Sequence, residues 1–320
     1  MHSSTSNSRH PAVFHAKALV AACAALAILF EIASSYLLKH RSETYSRVSE
    51  QYASALRVRP ALGDEPASVL MVGNSLLLYG VDVNRLRTLT SDQVHVYPVF
   101  LEATGYYDWL YALQRLFERG SRPQVVVLGV GMHELFANGI RRDYAPIMFL
   151  NARDVLNVAS DLNFDRTQTA DLLLAHWSAF WDLRSVVRVQ VLRHTIPHCE
   201  ELLTMLEARP SVPRPASFET LAAARLERLR VLCATYGARL LILVPPAPSS
   251  ANAVQELAAV SRRVGVPTLV PLDPHTVSDN YFLSDEIHLN PHGAELFTSA
   301  LAHELPGIAN RSIRRLLAPE

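Results

Sequence analysis

The sequence predicts an α/β protein built on a doubly wound parallel sheet. Short apolar runs, of the kind that buried parallel strands need, alternate along the chain with segments that show helical spacing. About five strands are expected, at residues 69–72, 94–99, 124–128, 239–244 and 267–272. The helices between them are expected at residues 83–89, 106–119, 218–236 and 251–264.

The composition is that of a globular protein with an apolar N-terminal segment. The chain has 320 residues, of which 49% are hydrophobic, and this is enough for one large α/β domain or two small ones. Its 30 basic residues balance 30 acidic ones, so no nucleic-acid partner is expected. Cys23, Cys199 and Cys233 show no metal-ligand spacing, and we expect neither a metal nor a cofactor. Cys199 and Cys233 are expected to be unpaired buried thiols, with a disulfide as the alternative.

Residues 18–38 form an apolar stretch with basic residues on both sides. Its length matches what a helix needs to cross a bilayer, so we predict a membrane span after a disordered tail at residues 1–17. Two alternatives stay open. One is a cleaved signal peptide, with a candidate cleavage site at residues 33–35. The other is a soluble amphipathic helix, which Glu31 favours because an acidic residue is costly within a span.

The folded domain is expected to span residues 68–308. Residues 39–67, which connect it to the apolar stretch, are predicted to be a membrane-proximal helix and linker. Residues 151–215 break the strand and helix alternation and are helix-rich, so we expect a helical insertion over part of the sheet edge or the cleft. Residues 309–320 are expected to form a C-terminal tail.

A small polar pair, Asn74 and Ser75, follows Gly73 at the end of the first predicted strand. In open α/β sheets, ligands bind in the crevice beyond the carboxyl ends of the strands. The hydroxyl of Ser75 is therefore placed where it can do chemistry. Taken alone, the tripeptide favours an ordinary turn before a helix.

A second group of polar residues precedes the last predicted helix, which begins at Pro291 and carries an apolar stripe. Asp285 and His288 lie on the loop just before it. A serine nucleophile needs an imidazole that takes its proton and a carboxylate that holds the other ring nitrogen. A carboxylate three residues before a histidine can reach that nitrogen, so one loop can supply both groups. His275 and His292 are rival histidines.

Gly73-Asn74-Ser75 and Asp285-x-x-His288 together resemble the first and last blocks of the SGNH (GDSL-like) hydrolase superfamily. The resemblance implies a flavodoxin-like three-layer α/β/α fold and acyl transfer from an ester through an acyl-serine. It implies Ser75 as the nucleophile, His288 as the base and Asp285 as the group that orients it. With the predicted span, the layout resembles membrane-anchored bacterial envelope enzymes that add or remove acyl groups on polysaccharides. That likeness implies a single-pass inner-membrane protein with an extracytoplasmic catalytic domain. The basic residues on the two sides of the span do not favour this orientation, so the sequence leaves the side of the membrane open.

The middle blocks of the superfamily match less well. Gly105 corresponds to the second-block glycine, whose amide helps to form the oxyanion hole. The third block is Gly-x-Asn-Asp, but residues 129–134 read Gly-Val-Gly-Met-His-Glu and lack the asparagine. One missing oxyanion donor typically costs about 2.7–4 kcal/mol of transition-state stabilisation. The amides of Ser75 and Gly105 remain, and His133 is a further candidate donor by position.

The expected substrates are an acylated glycan or another acyl donor, with acetyl groups favoured, and a membrane acyltransferase is a candidate partner. Hydrolysis and transfer both stay open. Asn74, Tyr106 and Arg141 are candidate substrate-binding residues, although Tyr106 fits helix packing and Arg141 fits an ordinary exposed charge. A second hypothesis is a catalytically weak relative that binds or assembles within a membrane polysaccharide complex.

Overall fold

The computed structural model describes residues 10–91, 93–196, 218–247 and 253–317, with side chains described from residue 15 to residue 310 within these ranges. The strands are β1 Ala67–Gly73, β2 Val94–Phe100, β3 Val125–Gly129, β4 Arg239–Leu243 and β5 Thr268–Leu269. The helices are α1 His10–Arg41, α2 Glu43–Leu56, α3 Ser75–Gly80, α4 Val83–Thr90, α5 Tyr106–Glu118, α6 Met132–Phe136, α7 Ala145–Met148, α8 Ala152–Asp161, α9 Arg166–Trp177, α10 Ala179–Thr195, α11 Phe218–Thr235, α12 Val254–Arg263 and α13 Pro291–Leu317.

The five strands form one parallel sheet in the order β2-β1-β3-β4-β5, which is the order of the flavodoxin-like doubly wound fold. The predicted fold class is therefore confirmed. Strand β1 lies near the middle, where Val69 pairs with Val96 of β2 and Val125 of β3. Every residue of β1 and β3 is buried, and apart from Ser68 near the start of β1 both strands consist of apolar residues and glycine.

Two hydrophobic clusters cover the two faces of the sheet. On one face, Leu70 and Val126 pack with residues of α2, α5, α11 and α12. On the other face, Met71 and Val127 pack with Leu77 of α3 and with residues of α4 and α13. Neighbouring residues of a strand point to opposite faces, so each strand contributes alternately to the two clusters.

Strand β5 is shorter than the predicted 267–272, because prolines at both ends of that run cannot donate to the ladder. The two chain ends also differ from the prediction. Helix α1 begins at His10, within the predicted disordered tail, and α13 continues to Leu317, within the predicted C-terminal tail. Residues 1–9, and residues 197–217 with Cys199 and the end of the predicted insertion, lie outside the described residues. Cys233 is a buried free thiol.

Helix α2 lies in the stretch predicted to be a membrane-proximal helix and linker, but it packs onto the sheet and is part of the core. Its apolar face buries Val48, Tyr52 and Ala55. Gln51 Oε1 accepts a hydrogen bond of 2.9 Å from the N–H of Phe100, so α2 also covers the edge strand β2. Since only one residue separates α1 from α2, the packing of α2 restricts the direction of α1 relative to the domain.

The helices from α8 to α10 form the described part of the predicted insertion. Their apolar faces bury Val155, Leu172 and Leu183 in the same cluster as α5. On α10, Asp182 is 1% exposed and accepts a hydrogen bond of 2.9 Å from the N–H of Tyr144 through Oδ2. Its Oδ1 atom is buried without a hydrogen-bond partner among the described residues. Burial raises the pKa of Asp182 to about 7, with a further upward contribution from the nearby carboxylate of Asp143.

Replacing Asp182 by asparagine should stabilise the protein at alkaline pH, on the order of 1–3 kcal/mol at pH 8. An unfolded chain loses this proton near the ordinary pKa of 3.8, whereas the folded protein holds it up to about pH 7. The wild type therefore loses stability as the pH rises between these values, and the variant does not. Thermal unfolding of both proteins at pH 5 and pH 8 measures the effect. Asp165→Asn is a matched control, because asparagine caps a helix as well as aspartate does. A pH-independent difference would contradict the prediction.

Candidate active site

Ser75 is the first residue of α3, immediately beyond the carboxyl end of β1. Asn74 is the N-cap of this short helix, and its Oδ1 accepts a hydrogen bond of 3.0 Å from the N–H of Leu76. Its Nδ2 donates to the carbonyl oxygen of Thr104 at 3.5 Å, and the residue is 4% exposed. Asn74, a candidate substrate-binding residue in the sequence, therefore uses its side chain to position the start of α3.

Close packing beneath Ser75 explains two glycines at the ends of central strands. Leu77 of α3 is fully buried against Gly73 of β1 and Gly129 of β3. A Cβ at Gly73 would lie 2.8 Å from Leu77 Cδ1, and one at Gly129 would overlap Cδ1 and Cγ of the same leucine. The two glycines thus allow α3 to lie directly on the strand ends, and this fixes the position of Ser75 relative to the carboxyl edge of the sheet.

The loop before α13 is held by its own hydrogen bonds. The N–H of Leu283 donates to the carbonyl oxygen of His288 at 2.7 Å. Asp285 Oδ1 accepts the N–H groups of Ile287 and His288, both at 2.9 Å. Glu286, which follows Asp285, has a φ of 58°, and this left-handed backbone conformation of a non-glycine residue closes the turn. Asp285 and His288 are thereby presented from one tight turn.

The structure brings Ser75, His288 and Asp285 together in a chain of hydrogen bonds. His288 Nδ1 lies 2.7 Å from Asp285 Oδ2, and His288 Nε2 lies 2.8 Å from Ser75 Oγ. Partial burial alone would raise the pKa of Asp285. The carboxylate accepts hydrogen bonds from the N–H and ring of His288 and from the N–H of Ile287, and together these lower the pKa to about 2. The ionised carboxylate requires the proton on Nδ1, so Nε2 is free to accept the serine proton. This is the arrangement of a nucleophile, a base and an orienting carboxylate.

Tyr79 is a site residue that the sequence analysis missed. Its ring centroid lies 4.9 Å from that of His288, and the residue is 48% exposed. It follows Ser75 by four positions on α3, so the two share one helix face. This spacing was the available signal, but it is visible only once residues 75–80 are known to be helical.

The amide of Gly105 is engaged elsewhere. Its N–H donates to Asp108 Oδ2 at 3.0 Å, and Asp108 also accepts the N–H of Arg141 at 2.9 Å through Oδ1. Burial raises the pKa of Asp108 to about 6, although these hydrogen bonds lower it. A Cβ at Gly105 would lie 2.9 Å from that of Ala137, so the glycine permits a close approach of α5 to α6. In this structure, Gly105 serves helix capping and packing.

The other candidate residues have separate places. Tyr106 is 2% exposed, and the guanidinium of Arg225 lies 4.7 Å from its ring centroid, so this tyrosine packs in the core. Arg141 pairs with Asp143 at 3.1 Å and donates to the carbonyl oxygen of Glu102. His133 is exposed on the first turn of α6. No group of three or more potential metal ligands occurs among the residues that the structure describes.

The comparisons with known proteins identify no family for the chain. No protein-family model matches the chain, and no curated protein matches it. A solved structure described as "Crystal Structure of TesA" is similar at 14% sequence identity and a TM-score of 0.38, covering 75% of this chain and 98% of that chain. A likeness of this degree carries no argument about the fold or the function.

Proposed function

We propose that the protein is a serine-dependent esterase or O-acyltransferase of the SGNH type. The observation that carries the proposal is the hydrogen-bond chain from Ser75 Oγ through the His288 imidazole to Asp285, at 2.8 and 2.7 Å. A serine hydroxyl is a weak nucleophile until a base removes its proton, and His288 is placed to do so.

The reaction has two steps. Ser75 Oγ attacks the acyl carbonyl carbon while His288 Nε2 takes the hydroxyl proton, and Asp285 stabilises the imidazolium that forms. The bond between the acyl carbon and the alcohol oxygen breaks, and His288 returns the proton to that oxygen. Water or a sugar hydroxyl then attacks the carbonyl carbon of acyl-Ser75 with His288 again as the base. The bond between that carbon and Ser75 Oγ breaks, and His288 returns the proton to Oγ. Water gives hydrolysis, and the sugar hydroxyl gives transfer.

Oxyanion stabilisation is assigned first to the N–H of Ser75, because first-turn amides have no acceptor within their own helix. The hydrogen bond from Gly105 to Asp108 leaves this donor without the second amide that the superfamily resemblance implies. The same observation favours a second candidate function, a weakly catalytic subunit that binds acylated glycan within a membrane complex.

The substrate class is proposed to be acyl groups, chiefly acetyl, on an envelope or exported polysaccharide. The side chains of Asp285 and His288 are 45% and 22% exposed, so an acyl group on a large polymer can reach the triad. Helix α1 contributes the one stretch among the described residues that is long and apolar enough to cross a membrane, His15–Arg41. We assign it as a single-pass inner-membrane anchor, with the catalytic domain outside the cytoplasm.

Fluorophosphonate labelling tests the proposed chemistry. The purified protein should be labelled covalently, and Ser75→Ala should abolish the label, because the probe reacts only with an activated serine. Hydrolysis of an aryl acetate, with and without a polysaccharide acceptor, then separates the esterase from the transferase. Labelling that does not depend on Ser75 would overturn the enzyme proposal. Labelling without turnover would favour the binding subunit.

A further inference from the structure

The last third of α1 packs against the turn between α9 and α10, here called the α9–α10 corner (residues 174–181). The rings of Phe30 and Phe180 stack with their centroids 5.2 Å apart. Ser34 and Leu38 of α1 are buried, whereas every described side chain of α1 from His15 to Phe30 is exposed. Helix α1 therefore contacts the domain from about Phe30 onwards, and its part before Phe30 extends away from the domain.

Glu31 joins α1 to the start of α10. Its carboxylate accepts hydrogen bonds from Ser178 Oγ at 2.6 Å, the N–H of Ala179 at 2.9 Å and the N–H of Phe180 at 3.2 Å. The next two N–H groups of α10 donate to the hydroxyl and carbonyl oxygens of Ser178, at 3.1 and 2.9 Å. All four N–H groups of the first turn thus have acceptors within the protein.

This complete pairing matters because helix termini in water normally leave such groups to solvent. In hydrocarbon there is no solvent to accept them, so each unpaired backbone group is strongly destabilising. A carboxylate there likewise needs donors. Glu31 and the start of α10 satisfy one another, so neither requires water. The contact also accounts for an acidic residue inside an apolar stretch.

The position of Glu31 along α1 indicates how deep the α9–α10 corner would lie in a bilayer. The 21 residues 18–38 span about 31 Å as a helix, close to the roughly 30 Å thickness of the hydrocarbon core. Glu31 lies seven residues before Leu38, about 10 Å along the helix from the domain end of this stretch. With that stretch in the bilayer, the corner beside Glu31 lies below the lipid surface.

Apolar side chains of the corner face outwards at this level. Trp177 is 68% exposed and Leu174, one turn earlier on α9, is 45% exposed. On the adjoining part of α1, Ile32 is 62% exposed. Tryptophan is enriched where a protein crosses the membrane interface.

We propose that the α9–α10 corner is inserted into the bilayer beside α1, with Trp177 in contact with lipid. The membrane-bound part of the protein is then α1 together with this corner, and the catalytic domain has a fixed orientation on the membrane. This inference rests on the proposed membrane span and is independent of the proposed catalysis.

Quenching of tryptophan fluorescence tests the proposal. The full-length protein and Trp177→Phe are reconstituted in phosphatidylcholine vesicles, with and without phosphatidylcholine brominated on its acyl chains. The difference between the two proteins isolates the emission of Trp177. We expect brominated lipid to remove most of this emission and aqueous iodide to leave it unchanged. Quenching by iodide without quenching by brominated lipid would overturn the proposal.

Two variants test the role of Glu31. Glu31→Ala leaves N–H groups of α10 unpaired, so the corner should move into water and Trp177 should lose its quenching by brominated lipid. Ser35→Ala is the matched control, because it removes only the contact of 3.3 Å between Ser35 Oγ and Glu31. Unchanged quenching in Glu31→Ala, with the fold intact by circular dichroism, would overturn the role of Glu31 in holding the corner.

Cys23 distinguishes failure of this proposal from failure of the span. It is exposed on α1, five residues into the apolar stretch, and in a Cys199→Ser background it reports on that stretch because Cys233 is buried. Protection of Cys23 from a membrane-impermeant maleimide, without lipid quenching of Trp177, would refute the corner alone. Reaction of Cys23 in intact vesicles would refute the span and the corner together. Fluorophosphonate labelling of the same vesicles reports separately on the catalytic proposal.

Discussion

Replacing His288 by alanine should lower kcat for aryl acetate hydrolysis by about four orders of magnitude or more. The imidazole is the group hydrogen-bonded to Ser75 Oγ, at 2.8 Å. Without it, the hydroxyl must lose its proton to water as it attacks. Asp285→Asn should cause a loss of similar order, because the amide no longer holds the ring in the tautomer that accepts the serine proton.

His292→Ala is the matched control for this prediction. His292 is also exposed near the start of α13, four residues from His288. Its backbone N–H donates a hydrogen bond to Asn290 Oδ1. Its loss should leave kcat unchanged. If His292→Ala and His288→Ala lowered kcat equally, the assignment of the base to His288 would be wrong.

Gly129→Ala should destabilise the protein by about 1–3 kcal/mol and lower kcat by about a hundredfold, the cost of a displacement of about 1 Å in an active site. The new methyl group would occupy the place of the Leu77 side chain, which is fully buried, so we expect the overlap to displace α3. Ser75 lies two residues earlier on that helix, so its hydrogen bond to His288 would lengthen. Thermal unfolding and aryl acetate kinetics measure the two effects.

Gly80→Ala provides the comparison for that variant. Gly80 lies on the same helix, but a Cβ there would lie 3.6 Å from the nearest atom of Phe297, which is an ordinary contact. This variant should retain both stability and kcat. Full activity in Gly129→Ala would show that α3 tolerates displacement, and would refute the argument that the strand-end glycines set the position of Ser75.

The strand pattern and the proximity of Ser75, Asp285 and His288 could be predicted because each rests on local signals. Buried parallel strands appear in the sequence as apolar runs, and β1 to β4 lie close to the predicted positions. The turn that holds Asp285 and His288 spans four residues, so their spacing alone indicates that they can interact. Ser75 is 213 residues away from His288, but both follow strand ends, and the carboxyl ends of parallel strands share one edge of the sheet.

The remaining features depend on which groups meet across the fold. Gly105 matches a family position, yet only the structure shows that Asp108 accepts its N–H. Helical spacing permitted either packing or substrate binding for Tyr106, and the position of Arg225 decides for packing. A motif gives the type of residue and the spacing, whereas the partner of a donor or a ring depends on the packing of distant segments.

Glu31 shows most clearly the difference between what the sequence predicts and what the tertiary structure determines. The sequence by itself determined the length and apolarity of the N-terminal helix and the presence of one carboxylate within it, which counted against a membrane span. The tertiary structure decided what that carboxylate does, because its donors lie 147 to 149 residues away at the start of α10. Hydrophobicity is summed along the chain and can be obtained from the sequence, but the hydrogen-bond partners of a carboxylate depend on three-dimensional contacts.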